Sequence, residues 1–186
     1  VLSSYPVHLR ADRARFPVLL AGGTPDGAGE LEGGRHWARF VDPHPKPSYL
    51  FALVAGRLEV LERDYVTADG RAVQLKIWAE ADAIDRCHYA MDALERSMRW
   101  DAQAYGRTYD LDVFHVVATH DFNMGAMETK GLNIFNAKCL LADQDSTTDD
   151  EYRHVEAVVA HEYFHNWSGN RVTCRDWFQL SLKEGL

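Results

Sequence analysis

The sequence is short of cysteine, of late prolines, of long apolar runs and of basic charge, and each shortage excludes something. Only three cysteines occur, Cys87, Cys139 and Cys174. An odd, widely spaced set is not a disulfide framework, and no spacing forms a CxxC metal knuckle. The thiols are expected to be reduced and mostly buried, as in a cytosolic protein. No stretch approaches the roughly 18 apolar residues of a membrane span. The opening "VLSSYPVHLRADRARFP" lacks the apolar core of a secretion signal. It also lacks an initiator Met, so the chain is expected to begin inside a longer protein. Acidic residues (28) outnumber Lys and Arg (20), giving a net charge of -8. A nucleic-acid surface, which needs clustered basic residues, is therefore not expected. The hydrophobic fraction of 46% is enough for a packed core.

Proline and glycine divide the chain. All 6 prolines precede residue 48, and "GGTPDGAGELEGG" crowds glycines between Gly22 and Gly34. That stretch and "DPHPKP" read as turns and loops, and "FPVLLAGG" and "SYLFALVAGRLEVLE" as strands. Residues 1–62 are thus expected to be the end of an all-β domain. Beyond Asp64 the pattern changes. "RAVQLKIWA" alternates, with Val73, Leu75 and Ile77 on one face. "DAIDRCHYAMDALERSMRWDAQAYG" carries Ile84, Met91, Leu94 and Met98 at helical spacing, with Asp82 as expected cap and Gly106 as stop. Strands are expected from Leu111 and from Gly131. "DSTTDDEYRHVEAVVAHEYFHNWSGN" is the clearest helix, capped by Thr148 or Asp149, with acidic residues in its first turn and Gly169 near its end. A further helical pattern begins at "WFQLSLKEGL". Residues 63–186 are expected to be α+β.

The chemistry lies in "HEYFH". His161 and His165, four apart on a helix, share a face, with Cβ atoms about 5–6 Å apart. Two imidazole nitrogens can then converge on one Zn²⁺ at roughly 2.0–2.1 Å. Glu162 projects about 100° around the helix, a direction that suits a base for activated water rather than a ligand. The plain alternative is a packed histidine pair on an amphipathic helix. A catalytic zinc needs a third protein ligand. Glu184, with eighteen residues between it and His165, can supply it if a second helix turns back through "SGN"; alone it is an ordinary solvated carboxylate. "NMGAMETKGLNIFN" reads as a Gly-rich turn entering a strand, in which Gly125 admits a close backbone and Glu128 offers a carboxylate; a plain hairpin connection fits equally.

"HEYFHNW" followed by "LKEGL" at that separation resembles the aminopeptidase N family of zinc metallopeptidases. "GRHWARFVDPHPKPSYLFALVAG" and "NWSGNRVTCRDWFQLSLKEGL" resemble its bacterial, cytosolic form, and the likeness covers nearly the whole chain. It implies the end of an N-terminal β domain (1–62), then the first part of a thermolysin-like catalytic domain (63–186) with a mixed sheet and a zinc-binding helix. It implies one Zn²⁺ on His161, His165 and Glu184, with Glu162 as catalytic base. "GAMET" is similar to the family's GAMEN substrate motif. The resemblance then implies that substrate pairs along Gly125, Ala126 and Met127, and that Glu128 binds its free α-amino group. Met124 is a candidate wall of the first side-chain pocket; core packing is the alternative. Thr129 departs from the family's Asn. The implied partners are peptides with a free N-terminus and the remainder of a parent chain, with no nucleic acid and no membrane span, in the cytoplasm. The family's oxyanion-stabilising Tyr would lie beyond Leu186, and a second amine-binding acid upstream of Val1. A zinc-binding but catalytically idle piece is the competing reading, and a related epoxide hydrolase a third. His154 is expected at the surface or in second-tier packing, and His115 and His120 in packing. Lys183 is open between tuning local charge and simple solvation, while Asn166, Arg171 and Asp176 are candidates for supporting contacts.

Overall fold

The computed structural model describes residues 1–185. Seven strands precede the first long helix: β1 (Val7–Asp12), β2 (Val18–Ala21), β3 (Thr24–Leu31), β4 (Arg35–Val41), β5 (Leu53–Gly56), β6 (Glu59–Val66) and β7 (Ala72–Ala79). Then come α1 (His88–Tyr105), β8 (Val113–Thr119), β9 (Ala126–Met127), β10 (Leu132–Asn136), α2 (Asp149–Phe164) and the short α3 (Leu180–Glu184). β1, β4 and β3 form one antiparallel sheet, and β2 pairs with β5. The remaining strands form a mixed sheet in the order β6-β7-β8-β10-β9. Its centre is parallel (β7 with β8, β8 with β10), and both outer pairs are antiparallel. The fold is α+β, as expected. Residue 62, where the sequence suggests a division, lies inside β6, which pairs along its length with β7.

The alternation read in "RAVQLKIWA" is realised: Val73, Leu75 and Ile77 are buried. They join Phe114 and Val116 of β8, Met91, Leu94 and Met98 of α1, and Val155, Val159 and Tyr163 of α2 in one core. Each such side chain contributes about 1.5–3 kcal/mol on burial. The sheet and α1 thereby form the floor on which α2 rests. Glu156 of α2 ties the two helices further, accepting from Tyr89 at 3.0 Å and from Arg96 at 2.8 Å.

Three local expectations are corrected. "GGTPDGAGELEGG" is not a run of turns, since Thr24–Leu31 is the eight-residue strand β3. Its glycines accommodate a neighbour rather than a bend: a Cβ on Gly29 would lie 2.9 Å from the Trp37 ring nitrogen. The register shift between Pro25 and Ala28 absorbs the irregularity. Asp82 does not cap α1; a 3-10 turn (Ile84–Cys87) comes first, and the helix starts at His88 with no side-chain cap. Gly106 does end it, in the left-handed conformation. The strand expected from Gly131 stops at Asn136 and passes into a 3-10 turn. Cys87 and Cys139 are buried and Cys174 is half-buried, all unpaired. Among the described residues no helix is long and apolar enough to cross a membrane.

Asp101 of α1 is buried with neither carboxylate oxygen hydrogen-bonded. Burial pushes its carboxyl up to about 6. A folded pKa above the unfolded value of about 3.9 means that ionisation opposes folding, with the loss accumulating between those two values. Asp101→Asn is therefore expected to melt at nearly the same temperature as the parent at pH 4 and at a higher one at pH 7.5, measured by circular dichroism.

Candidate active site

The helix that carries the motif is fixed at its start. Thr148 and Glu151 form a capping box: the Thr148 hydroxyl accepts from the Glu151 N–H, and the Glu151 carboxylate accepts from the Thr148 N–H at 2.8 Å. Asp149, Asp150 and Glu151 also complement the positive end of the helix. The last turn bears His161 and Glu162, and His165 is the capping residue just past Phe164. The chain then reverses through residues 166–172, where Arg171 N–H donates to the Asn166 carbonyl and Val172 N–H to that of Trp167. Asp176 opens a 3-10 turn by accepting from the Phe178 N–H at 3.1 Å. This leads into α3, which returns Glu184 to the histidines.

Three ligand atoms converge. His161 Nε2 and His165 Nε2 are 3.0 Å apart. Glu184 Oε2 lies 3.3 Å from the first and 3.4 Å from the second. A tetrahedral centre with bonds of roughly 2.0–2.1 Å requires ligand separations of about 3.3–3.4 Å. Two sides of the triangle have that length, and the side between the histidines is slightly shorter. His165 Nδ1 is 2.7 Å from the Ser168 carbonyl oxygen, which can only accept, so Nδ1 carries the proton and Nε2 presents a lone pair. Three Lewis-basic atoms converging at this spacing can share one cation, so the residues present fit a zinc ion. His165 is buried, whereas His161 and Glu184 are partly open to solvent, leaving a path for water.

Glu162 is buried beside this triangle with Oε2 free of any partner. Without a metal charge, burial pushes its carboxyl up to about 8, with Glu128 and Glu184 adding to the rise and Lys183 opposing it. A divalent cation beside it would draw that value down. Burial would also raise Glu184, but Lys183 and the two imidazoles outweigh it and hold the carboxyl low. Lys183 is buried, not solvated. Its ammonium donates to Glu128 Oε1 and lies 3.0 Å from Glu184 Oε1, and these contacts raise its pKa despite the cost of burial. Glu128, Glu162 and His165 also offer ligand atoms within 4.8 Å of one another. The Lys183 ammonium already engages Glu128, which favours the first triangle as the metal set.

The "GAMET" segment stands next to these groups. Ala126 and Met127 form β9, which pairs only with β10 and is the outer strand of the sheet. Gly125 extends it, its carbonyl accepting from the Asn136 N–H at 2.9 Å. One edge of β9 is thus unpaired among the described residues. Met124 is 67% exposed, so it is not core packing. Thr129 is buried and turns its hydroxyl onto the Leu132 carbonyl, inside the turn.

The other histidines and polar candidates have defined places. His154 is exposed, with Nε2 3.5 Å from Cys139 Sγ. His115 is buried and takes the Trp78 indole N–H at 3.1 Å, and burial lowers its pKa to about 3. His120 is exposed, against the expectation of packing, because it lies just past the end of β8. Asn166 and Arg171 reach Asp110, and Asn166 also meets Lys130, whereas Asp176 caps a turn and pairs with its neighbour Arg175. Asp110, Lys130 and Asn170 carry no motif spacing that would single them out. They meet their partners through contacts 20 to 61 residues apart in the chain.

A model of the peptidase family M1 domain matches residues 89–186, just over half of the sequence. The chain belongs to peptidase family M1. It is 59% identical over its full length to aminopeptidase N of Caulobacter vibrioides and 54% identical to aminopeptidase N of Escherichia coli. In each case it spans 21% of the relative, about a fifth of that protein's length. The crystal structure of Legionella pneumophila aminopeptidase A in complex with aspartic acid superposes with a TM-score of 0.95 at 40% identity. That match covers 99% of this chain and 22% of the other. With His161, His165 and Glu184 converging, the protein is expected to take up one zinc ion, measured by equilibrium dialysis and metal analysis. His165→Ala should weaken uptake by more than the roughly 10–100-fold that loss of a supporting contact costs, while Glu162→Gln should leave the stoichiometry unchanged.

Proposed function

We propose that this site releases N-terminal amino acids from peptides, as part of a zinc-dependent aminopeptidase. The observation that carries the reading is the triangle of His161, His165 and Glu184, sized for a tetrahedral zinc, with the free Glu162 oxygen beside it and Glu128 close by. When bound, the zinc would supply Lewis acidity, favouring ionisation of water and polarising a carbonyl. Glu162 takes a proton from the attacking water and returns it to the leaving amine. Glu128 accepts the substrate's α-ammonium, and the unpaired edge of Gly125–Met127 receives the peptide backbone as an added strand. Met124 stands at the mouth of this edge as a wall for the first side chain. A carboxylate at Glu128 measures distance from the chain end: only a peptide whose ammonium reaches it places its first bond at the metal. The names of the relatives agree with this direction of cleavage. The proposal extends to the cytoplasm, the compartment that the resemblance to the bacterial form implies.

The zinc-loaded protein is expected to cleave alanyl anilide and to spare its N-acetylated form. Equal rates on both would sink the exopeptidase reading. Glu162→Gln should keep its zinc and lose about 10²–10⁴ in kcat, the usual scale of a general base. One zinc per chain with no turnover in this 186-residue chain would favour the idle-module reading instead.

A further inference from the structure

The turn that holds Glu128 is pinned from outside its own strand. The Asn170 side-chain N–H donates to the Glu128 carbonyl at 2.9 Å, 42 residues away in sequence, and the bond is buried. Asn170 sits in the reversal after α2, and its own N–H donates to the His165 carbonyl at 3.0 Å. One residue therefore joins the backbone of the amine-binding glutamate to the backbone of a metal-binding histidine. A second tie runs parallel. The buried Lys130 ammonium donates to Asn166 Oδ1 at 2.6 Å and to Asp110, and Asn166 directly succeeds His165 in the chain. Asp110 in turn receives Arg171, and these cations hold its carboxyl low although burial opposes them. On its far side the turn is closed by the β-rich segment. Lys130 N–H donates to the Leu50 carbonyl at 3.3 Å, and a Cβ on Gly22 would collide with the Lys130 carbonyl oxygen. The turn has little room to shift.

We propose that Asn170 is a positioning residue that sets the separation between the Glu128 carboxylate and the metal site, with the Lys130–Asn166 pair as its second support. The proposal rests on the reading of Glu128 as amine anchor. The Glu128 side chain contacts Lys183, which draws on the same carboxylate that must receive the substrate. Asn170 holds the main chain instead, so the carboxylate stays in place while its charge is shared. A ligand that spans both groups, with an α-ammonium at one end and a metal-binding group at the other, senses this separation. A ligand that meets the metal alone does not.

The test compares alanine hydroxamate, which carries the α-ammonium, with propionohydroxamate, which lacks it. Both are titrated calorimetrically into the zinc-loaded full chain, with zinc content and melting temperature recorded for each variant. Asn170→Asp removes the donor at nearly constant shape. It is expected to keep one zinc and parent-like affinity for propionohydroxamate. Its preference for the amine-bearing ligand should fall by roughly tenfold, the scale of one buried hydrogen bond. Should Asn170→Asp lose its melting transition, Asn170→Ser reads the same ratio. An unchanged preference in a folded, zinc-loaded variant would overturn the proposal. Equal loss of affinity for both ligands would also overturn it, because it would place the effect at the metal. If the parent itself shows no preference, the amine-anchor reading fails, and the proposal with it.

Discussion

Crowding of negative charge governs the site. Three carboxylates, Glu128, Glu162 and Glu184, share a small volume with two imidazoles, and Lys183 is the one ammonium that touches it among the described residues. Burial raises the proton affinity of Glu162, and the like charges of Glu128 and Glu184 add to the rise. Lys183 is shared between two carboxylates at once. The remaining imbalance is of the kind a divalent cation removes, and the neutral His165 tautomer set by Ser168 points its lone pair to where that cation would sit. The sheet, the capped helix and the returning α3 together hold charges where their own repulsion would separate them.

That burden explains the distribution of rigid elements. α2 is anchored at its N-terminus by the Thr148–Glu151 box and along its length by Val155, Val159 and Tyr163 against α1 and the sheet. Its last turn bears His161 and Glu162, and His165, just past it, takes its place in a tight reversal in which the Ser168 carbonyl orients the ring. β9 and the Glu128 turn are braced from both sides, by Leu50 and Gly22 of the β-rich segment and by Asn170 of the reversal. The site thus draws on both parts of the chain.

Much of this is legible in the sequence. Helical spacing and the cap at Thr148 point to α2, and the alternation of Val73, Leu75 and Ile77 to a central strand, because both patterns are local. His161, Glu162 and His165 are readable as a unit for the same reason, whereas Glu184 needs the resemblance to single it out. The glycine-rich β3 reads as turns because its glycines serve the face of Trp37, a residue of another strand. Asp82 looks like a cap, but a 3-10 turn intervenes. Lys183 stays open between two roles in the sequence because its burial depends on Glu128, 55 residues earlier. Asn170 and Lys130 are invisible for that reason too: a buried polar tie is defined by its partner, and partners distant in sequence leave no periodic trace.

β9 is only two residues long. An added strand draws its affinity from repeated main-chain bonds, and an edge this short supplies very few of them. A bound peptide would then be held mainly at its two chemically distinctive points, the terminal ammonium and the carbonyl to be attacked, and hardly at all by its later residues. On the proposed reading, such a surface would grade peptides by where they begin rather than by what they spell.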